Sequence, residues 1–320
     1  MWARCPGNGI TALSPIYTPE HARLVLPLPF LSPWRVSEIL AWPSSGYADV
    51  SFRSGGRLFH ARIPPEGVWT AIKDILVFEE YELLPRFRLS GLHASSTVVD
   101  AGAYAGEYSL KASPFCRRVV SLEPSLRNFG FMTRNILTNA VSNISARRVA
   151  LSSTEGKVPF RDAGNISAVL EGGQRGSYDV PAVTLRMLAE ELGRVDLMKL
   201  DIEGAELDVL SGTGFPALAK IERIVAEIHL HTPEHRARFR DVLGHLRLAG
   251  MEVKVIPNFY QDLNYALLKP WRCPLRTLQR TWNLPFRAFL SGAYGCAHFF
   301  PRLGSFRDVG NVVLLFAYRD

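Results

Sequence analysis

Two short stretches of this chain gather side chains that can move protons or hold a cation. In Lys199-Leu-Asp201-Ile-Glu203-Gly204-Ala-Glu206, three carboxylates follow an apolar run. In Ala226-Glu227-Ile-His229-Leu-His231, another acid and two imidazoles do the same. Such groups at strand ends can take a proton from a hydroxyl or bind a divalent ion. His229 is the first candidate for a general base, because an imidazole ordinarily titrates near neutrality; Asp201 is the second. Glu203 and Glu227 complete the candidate catalytic set. Glu206 falls in a helix's first turn, where the dipole favours a carboxylate, and is expected to be structural. His231 precedes Thr232-Pro233 and suits either catalysis or capping of the next helix. A metal held by Asp201, Glu203, Glu227 and His229 is chemically reasonable, but no spacing signature demands a divalent metal and none is predicted.

A second element lies about a hundred residues earlier. Asp100-Ala-Gly102-Ala103-Tyr104-Ala-Gly106 follows an apolar strand and opens a helix. Gly102 permits a tight turn, and Gly106 lets the backbone approach a ligand. The next strand ends in Glu123, placed to accept hydrogen bonds from both hydroxyls of a ribose. Loop and acid together indicate a nucleoside cofactor. A dinucleotide site wants GxGxxG to seat a pyrophosphate. Here the first glycine of that motif is absent, and Asp100 would repel a pyrophosphate while suiting a cationic amino-acid end. S-adenosyl-L-methionine (SAM) has such an end, so it is preferred to NAD.

These residues need strands that end together. Alternating units supply them: strands at Val98–Ala101, Val119–Leu122, Ile144–Leu151, Leu197–Leu200, Ile224–Ile228, Met251–Ile256 and Val312–Tyr318, with helices at Leu126–Leu137, after Asp201, and at Glu234–Ala249. This order predicts an α/β fold with a mostly parallel sheet and helices on both faces. Residues 155–183 are rich in Gly and polar residues and predict a hairpin or lid. Residues 1–94 read as an N-terminal α/β extension, with a hairpin around Ser54-Gly55-Gly56 and a helix at Val68–Leu76. The second unit, 95–320, carries an insertion at about 261–307. From Leu263 to Phe306 there is no Asp or Glu, but arginines such as Arg272, Arg276 and Arg280 are interleaved with aromatics.

The chain has 320 residues, 47% of them hydrophobic, and a formal charge of +7. That charge suits anionic partners, whether nucleic acid, acidic lipid or acidic glycan. Cys5, Cys116, Cys273 and Cys296 show no CxxC pairing and read as reduced thiols. No apolar run is long enough for a transmembrane helix, and no signal peptide is expected. The expectation is a cytoplasmic protein, with peripheral contact on an anionic membrane through 263–306.

Val98-Val-Asp-Ala-Gly-Ala103, Ser121-Leu-Glu-Pro-Ser125, Lys199-Leu-Asp-Ile-Glu-Gly-Ala-Glu206 and Ala226-Glu-Ile-His229 together resemble the FkbM family of SAM-dependent methyltransferases. The resemblance covers about Lys73 to Ile256 and the closing strand. It implies a Rossmann-like seven-stranded class I methyltransferase sheet, and O-methylation of a hydroxyl on a sugar or glycan, a glycolipid or another natural product. It also implies that Asp100, Gly102 and Gly106, with Ala103 and Tyr104 in the same loop, hold the methionine end. Glu123 then holds the ribose, and Asp201 lies near the transferring methyl. Tyr104 stands where the family often has Asn, and Arg186 where it usually has Asp. The rivals are a nucleic-acid methyltransferase and a non-catalytic nucleoside-binding module. The first is disfavoured, because Leu200-Asp-Ile-Glu-Gly204 offers no aromatic to stack a flipped base and no Cys to attack a pyrimidine.

Overall fold

Two alternating runs meet at Gly55-Gly56, both with positive φ (55° and 78°), as a two-residue hairpin turn requires. The strands are β2 (Tyr47–Ser54) and β3 (Arg57–Ile63), in register from Ser54 opposite Arg57 to Ala48 opposite Ile63; β1 (Leu40–Ser44) adds an antiparallel edge to β2. The computed structural model describes residues 40–44, 46–67, 71–77, 79–162, 168–169, 178–211, 215–230, 232–257 and 312–319. The basic, aromatic stretch at 263–306 lies outside the described residues, as do Cys5, Cys273, Cys296 and His231. Every second residue of the hairpin is buried. Val50, Phe52, Phe59, Ala61 and Ile63 share a core with Leu110, Met132 and Ile136 of the main body. Each fully buried large apolar side chain contributes about 1.5–3 kcal/mol. Where a helix was expected at Val68–Leu76, Ala71–Val77 forms a π-helical turn, and short 3-10 turns follow.

From there the chain enters β4 (Thr97–Ala101), β5 (Arg118–Leu122) and β6 (Ile144–Arg147), then β7 (Ala150–Leu151), β8 (Gly156–Arg161), β9 (Ala168–Val169) and β10 (Tyr178–Val183). It continues through β11 (Leu197–Leu200), β12 (Arg223–His229), β13 (Glu252–Pro257) and β14 (Val312–Tyr318). The main sheet has the order β13-β14-β12-β11-β4-β5-β6. β14 runs antiparallel to both neighbours, and the other pairings are parallel. Strands β4 and β14 are buried at every position, as a sheet covered on both faces demands. The strand order reverses between β4 and β11. In open α/β sheets that reversal opens a crevice at the carboxyl ends of the strands.

The helices are α1 (Glu107–Ala112), α2 (Leu126–Thr138), α3 (Leu185–Leu192), α4 (Glu206–Leu210), α5 (Phe215–Leu218) and α6 (Pro233–Leu248). Ser125, Thr184 and Thr232 cap α2, α3 and α6 by accepting from a backbone N–H three residues on. The expected single strand Ile144–Leu151 is two. Arg147 and Arg148 interrupt its apolar run, and Arg147 turns to the surface to pair with Glu191. Ala150–Leu151 instead joins a separate sheet of order β7-β10-β8-β9. Within it β8 and β10 pair antiparallel, so residues 155–183 include a small sheet beside the crevice. Among the described residues, no helix is long and apolar enough to cross a membrane.

Candidate active site

The loop after β4 is fixed by backbone. The N–H groups of Gly102 and Ala103 both donate to the Leu122 carbonyl at 3.0 Å, which pins the loop on β5. Gly102 has φ +76°, and a Cβ there would stand 1.7 Å from the Asp201 carbonyl oxygen. No other residue fits. Tyr104 is also left-handed, at φ 51°, and its N–H donates to Glu123 Oε2 at 2.8 Å. Ser125 N–H donates to the other Glu123 oxygen at 2.9 Å. Burial nonetheless pushes the Glu123 carboxyl up to about 8. The Tyr104 hydroxyl lies against Gly67, buried and without a hydrogen-bond partner among the described residues.

Two residues of the expected cofactor set stand behind the loop rather than in the crevice. Asp100 is fully buried; it accepts from Ser109 Oγ at 2.6 Å and lies 3.4 Å from the Lys199 ammonium. Gly106 packs on α2, where a Cβ would stand 3.0 Å from Met132 Cγ. Gly102, Ala103, Tyr104, Glu123 and Asp201 line the crevice itself.

The acidic end is built from side chains of several separate elements. β11 carries Lys199, whose ammonium donates to the Gly102 carbonyl at 3.0 Å and stands 3.6 Å from Asp201 Oδ2. Burial alone would disfavour that charge, but Asp100 and Asp201 raise the lysine's pKa above its ordinary value. Beyond Asp201, Glu203 adopts φ 56° and lines the crevice. A non-glycine residue held left-handed costs of order 1–3 kcal/mol and is found at functional sites. Burial, then the Asp201 charge, pushes Glu203 up to about 7. On β12, burial and Asp201 push Glu227 up to about 8.

His229 does not have the near-neutral titration that made it the expected base. Its Nδ1 lies 3.2 Å from Glu206 Oε1, and its Nε2 lies 3.5 Å from Glu203 Oε2. Burial would lower its pKa, but Glu206, Glu203 and Glu227 raise it to about 10. At neutral pH it is an imidazolium with no lone pair to receive a proton. Glu206 is the strut behind it. It is fully buried, and one of its oxygens accepts from the N–H groups of Ile202 and Gly204, both at 3.0 Å. Donor atoms of Asp201, Glu203 and His229 lie within 4.8 Å of one another, a spread one divalent ion can span.

Two residues were given no role from sequence. Lys199 announces itself as the one charge in the apolar strand Leu197–Leu200, and a buried ammonium needs acids beside it. Tyr81 gives no such signal. It lies in a 3-10 turn of the N-terminal segment, Glu80–Glu82, yet its hydroxyl reaches Asp201 Oδ2 at 2.9 Å and Glu227 Oε2 at 3.2 Å.

Residues 100–253 match the family described as the methyltransferase FkbM domain. This stretch belongs to the FkbM methyltransferases. Methyltransferase 1 of Beauveria bassiana is 26% identical to this chain over 183 residues, covering 49% of it and 71% of that protein. The AMB antimetabolite synthetase AmbE of Pseudomonas aeruginosa is 44% identical over 68 residues, which are 20% of this chain but 3% of the synthetase. Among solved structures, a precorrin-6y C5,15-methyltransferase from Geobacter metallireducens aligns at 12% identity over 72% of this chain and 84% of that one, with a TM-score of 0.36. An rRNA methylase from Streptococcus thermophilus aligns at 10% identity over 72% and 92%, with a TM-score of 0.38. The motif resemblance and the enzyme class expected from it are borne out: residues 100–253 carry a methyltransferase domain.

Proposed function

We propose that the chain transfers a methyl group from SAM to a hydroxyl of a sugar or glycan, a glycolipid or another natural product. One observation carries this reading: the glycine loop, Glu123 and Asp201 all line the same crevice. The fit to SAM rests on the lining groups. Two carboxylates, Glu123 and Asp201, would face a ribose and a cation, and the Tyr104 hydroxyl, without a hydrogen-bond partner among the described residues, lies beside the loop. SAM supplies an electrophilic methyl on sulfur, so the protein must orient an acceptor and take its proton. Gly102, Ala103 and Tyr104 would hold the methionine end and Glu123 the ribose. Asp201 is the base in this reading. It borders the loop, its side chain is 23% exposed, and His229 is already protonated. His229 and Glu206 would fix the turn that carries Glu203.

The first test is isothermal titration with SAM and with NAD; NAD binding without SAM binding removes the reading. The second is release of S-adenosylhomocysteine with a panel of hydroxylated glycans, lipids and natural-product extracts, and with tRNA and DNA. Turnover on nucleic acid alone would overturn O-methylation.

A lipid-linked or anionic acceptor is favoured by one further observation. β13 ends at Pro257, opposite Val313, and β14 begins at Val312, opposite His229. The basic, aromatic stretch between them therefore leaves and rejoins the sheet at its acidic, crevice end. Each basic residue near an anionic membrane adds about 1 kcal/mol of attraction. Co-sedimentation with anionic and neutral vesicles, before and after changing Arg272, Arg276 and Arg280 to Gln, tests peripheral membrane contact. Equal, negligible pelleting on both would sink it.

A further inference from the structure

Tyr81 lies outside the FkbM match, in a segment whose position is fixed from several sides. The Lys111 ammonium, on α1 just behind the cofactor loop, ion-pairs with Glu82 and with Glu79, the latter at 3.1 Å, and donates to the Ile75 carbonyl at 3.0 Å. Glu82 also accepts from Leu89 N–H at 3.0 Å. Between these anchors, the Tyr81 ring meets Tyr108 edge-on at 5.7 Å, and Lys199 stands 5.1 Å from its centre. The side chain is 3% exposed, and its hydroxyl is aimed at two carboxylates from neighbouring strands.

That geometry has a proton count. A phenol has one proton to give, and two ionised carboxylates cannot both receive it. The arrangement is satisfied when one acid is protonated and donates back to the phenol oxygen. Glu227 is the more deeply buried of the two acids. The phenol's single proton then lies toward Asp201, the nearer acid at 2.9 Å, with Glu227 at 3.2 Å on the other side. Charged groups around the hydroxyl are Asp201, Glu227, Glu80 and Asp74 on the acidic side and Lys199 on the other. Both Tyr81 and Lys199 approach the same Asp201 oxygen, Oδ2, so Oδ1 carries neither contact.

We infer that Tyr81 is a positioning residue for the transfer step, its hydroxyl orienting Asp201 so that the carboxylate's other oxygen faces the acceptor. The inference rests on the proposed O-methylation, and it makes the N-terminal segment part of the active site. In the step itself the acceptor's O–H proton passes to Asp201 as oxygen bonds to the methyl carbon and the carbon–sulfur bond breaks, leaving a neutral thioether. Tyr81 keeps its own proton throughout.

The test has two arms on the full chain. In the first, 3-fluorotyrosine is placed at position 81 and its fluorine resonance is followed by NMR. The resonance moves on Asp201→Asn and on Glu227→Gln, and stays fixed on Glu190→Gln, an exposed control. Indifference to both active-site substitutions overturns the hydrogen-bonded chain, whatever the reaction. In the second arm, with an acceptor from the panel, Tyr81→Phe lowers kcat about tenfold or more, the loss of a hydrogen bond to a charged group. The Kd for SAM stays within about twofold, because that contact is absent from the cofactor loop. Unchanged kcat, or equal losses in kcat and SAM affinity, overturns the positioning role. Should Tyr81→Phe lower the melting temperature, a more heavily fluorinated tyrosine keeps the shape while changing hydroxyl acidity, and kcat must respond to it. Failure to find any acceptor counts against O-methylation and leaves the resonance arm to decide the contact.

Discussion

The two ends of the crevice are held in place by different physics. At the cofactor end the backbone does it: Gly102 and Ala103 hang from one carbonyl, and Glu123 is gripped by two N–H groups from within three residues of the loop or of itself. At the acidic end, side chains from β4, β11 and the turn after it, α4, β12 and the Glu80–Glu82 turn balance one another's charge. Lys199 is shared by Asp100 and Asp201, His229 by Glu206 and Glu203, and Tyr81 by Asp201 and Glu227. A backbone scaffold leaves little room for substitution, and burial pushes the Glu123 carboxyl within it up to about 8. A charge-balanced one tolerates changes of shape and responds to every change of charge.

Gly102→Ala is the harshest way to test the contrast. The new Cβ would overlap the Asp201 carbonyl in a left-handed conformation, and overpacking plus strain should cost about 3 kcal/mol or more. Urea denaturation should show an earlier midpoint, and an unchanged one would show that the loop is not rigid. Asp201→Asn, by contrast, should leave stability and SAM affinity near the parent. It should lower kcat by roughly 100- to 10,000-fold, the usual worth of a positioned base. A comparable loss in His229→Gln with no loss in Asp201→Asn would return the base to His229.

Glu123→Gln sits in between. It keeps the side chain's shape and removes one acceptor, so SAM binding by titration calorimetry should weaken by about 1.5–3 kcal/mol. Equal SAM affinity would move the ribose contact elsewhere. The smallest effect is the dependence of stability on pH. His229 near 10, Glu227 near 8 and Glu203 near 7 are all raised above their ordinary values. The folded chain therefore holds more protons than the unfolded one between those values, and stability falls as pH rises. His229's contribution is complete below about 6.5 and lost through about 10, while the two acids act between about 4.5 and 8. The melting temperature should drop from pH 5 to pH 9, by about 2–4 °C for each kcal/mol lost in a chain of this size. Glu227→Gln should flatten the lower part of that slope, and a rising curve would contradict the charge balance.

The same division explains what the sequence made legible. Strand ends, the glycine turn and Glu123 are local patterns, visible in a few consecutive residues, and they lead to the α/β fold and the family resemblance. His229 was chosen for its ordinary pKa, and its actual state is set by Glu206, which lies 23 residues away in the chain. Tyr81 lies 120 residues from Asp201, in a segment with no strong periodicity, and no local rule could join them. Asp100 was read as facing a ligand, whereas the fold gives it to Lys199 on the adjacent strand.

Pro257 pairs with Val313 across β13 and β14. Whatever joins those strands is tethered at two neighbouring points on the sheet, so its length and composition can change without moving either tether. Doubling such a connection adds only about 0.6 kcal/mol of closure entropy. Changes in the length of residues 258–311 thus leave the pairing of β13 with β14 and the Gly102 loop, pinned on β5, where they are.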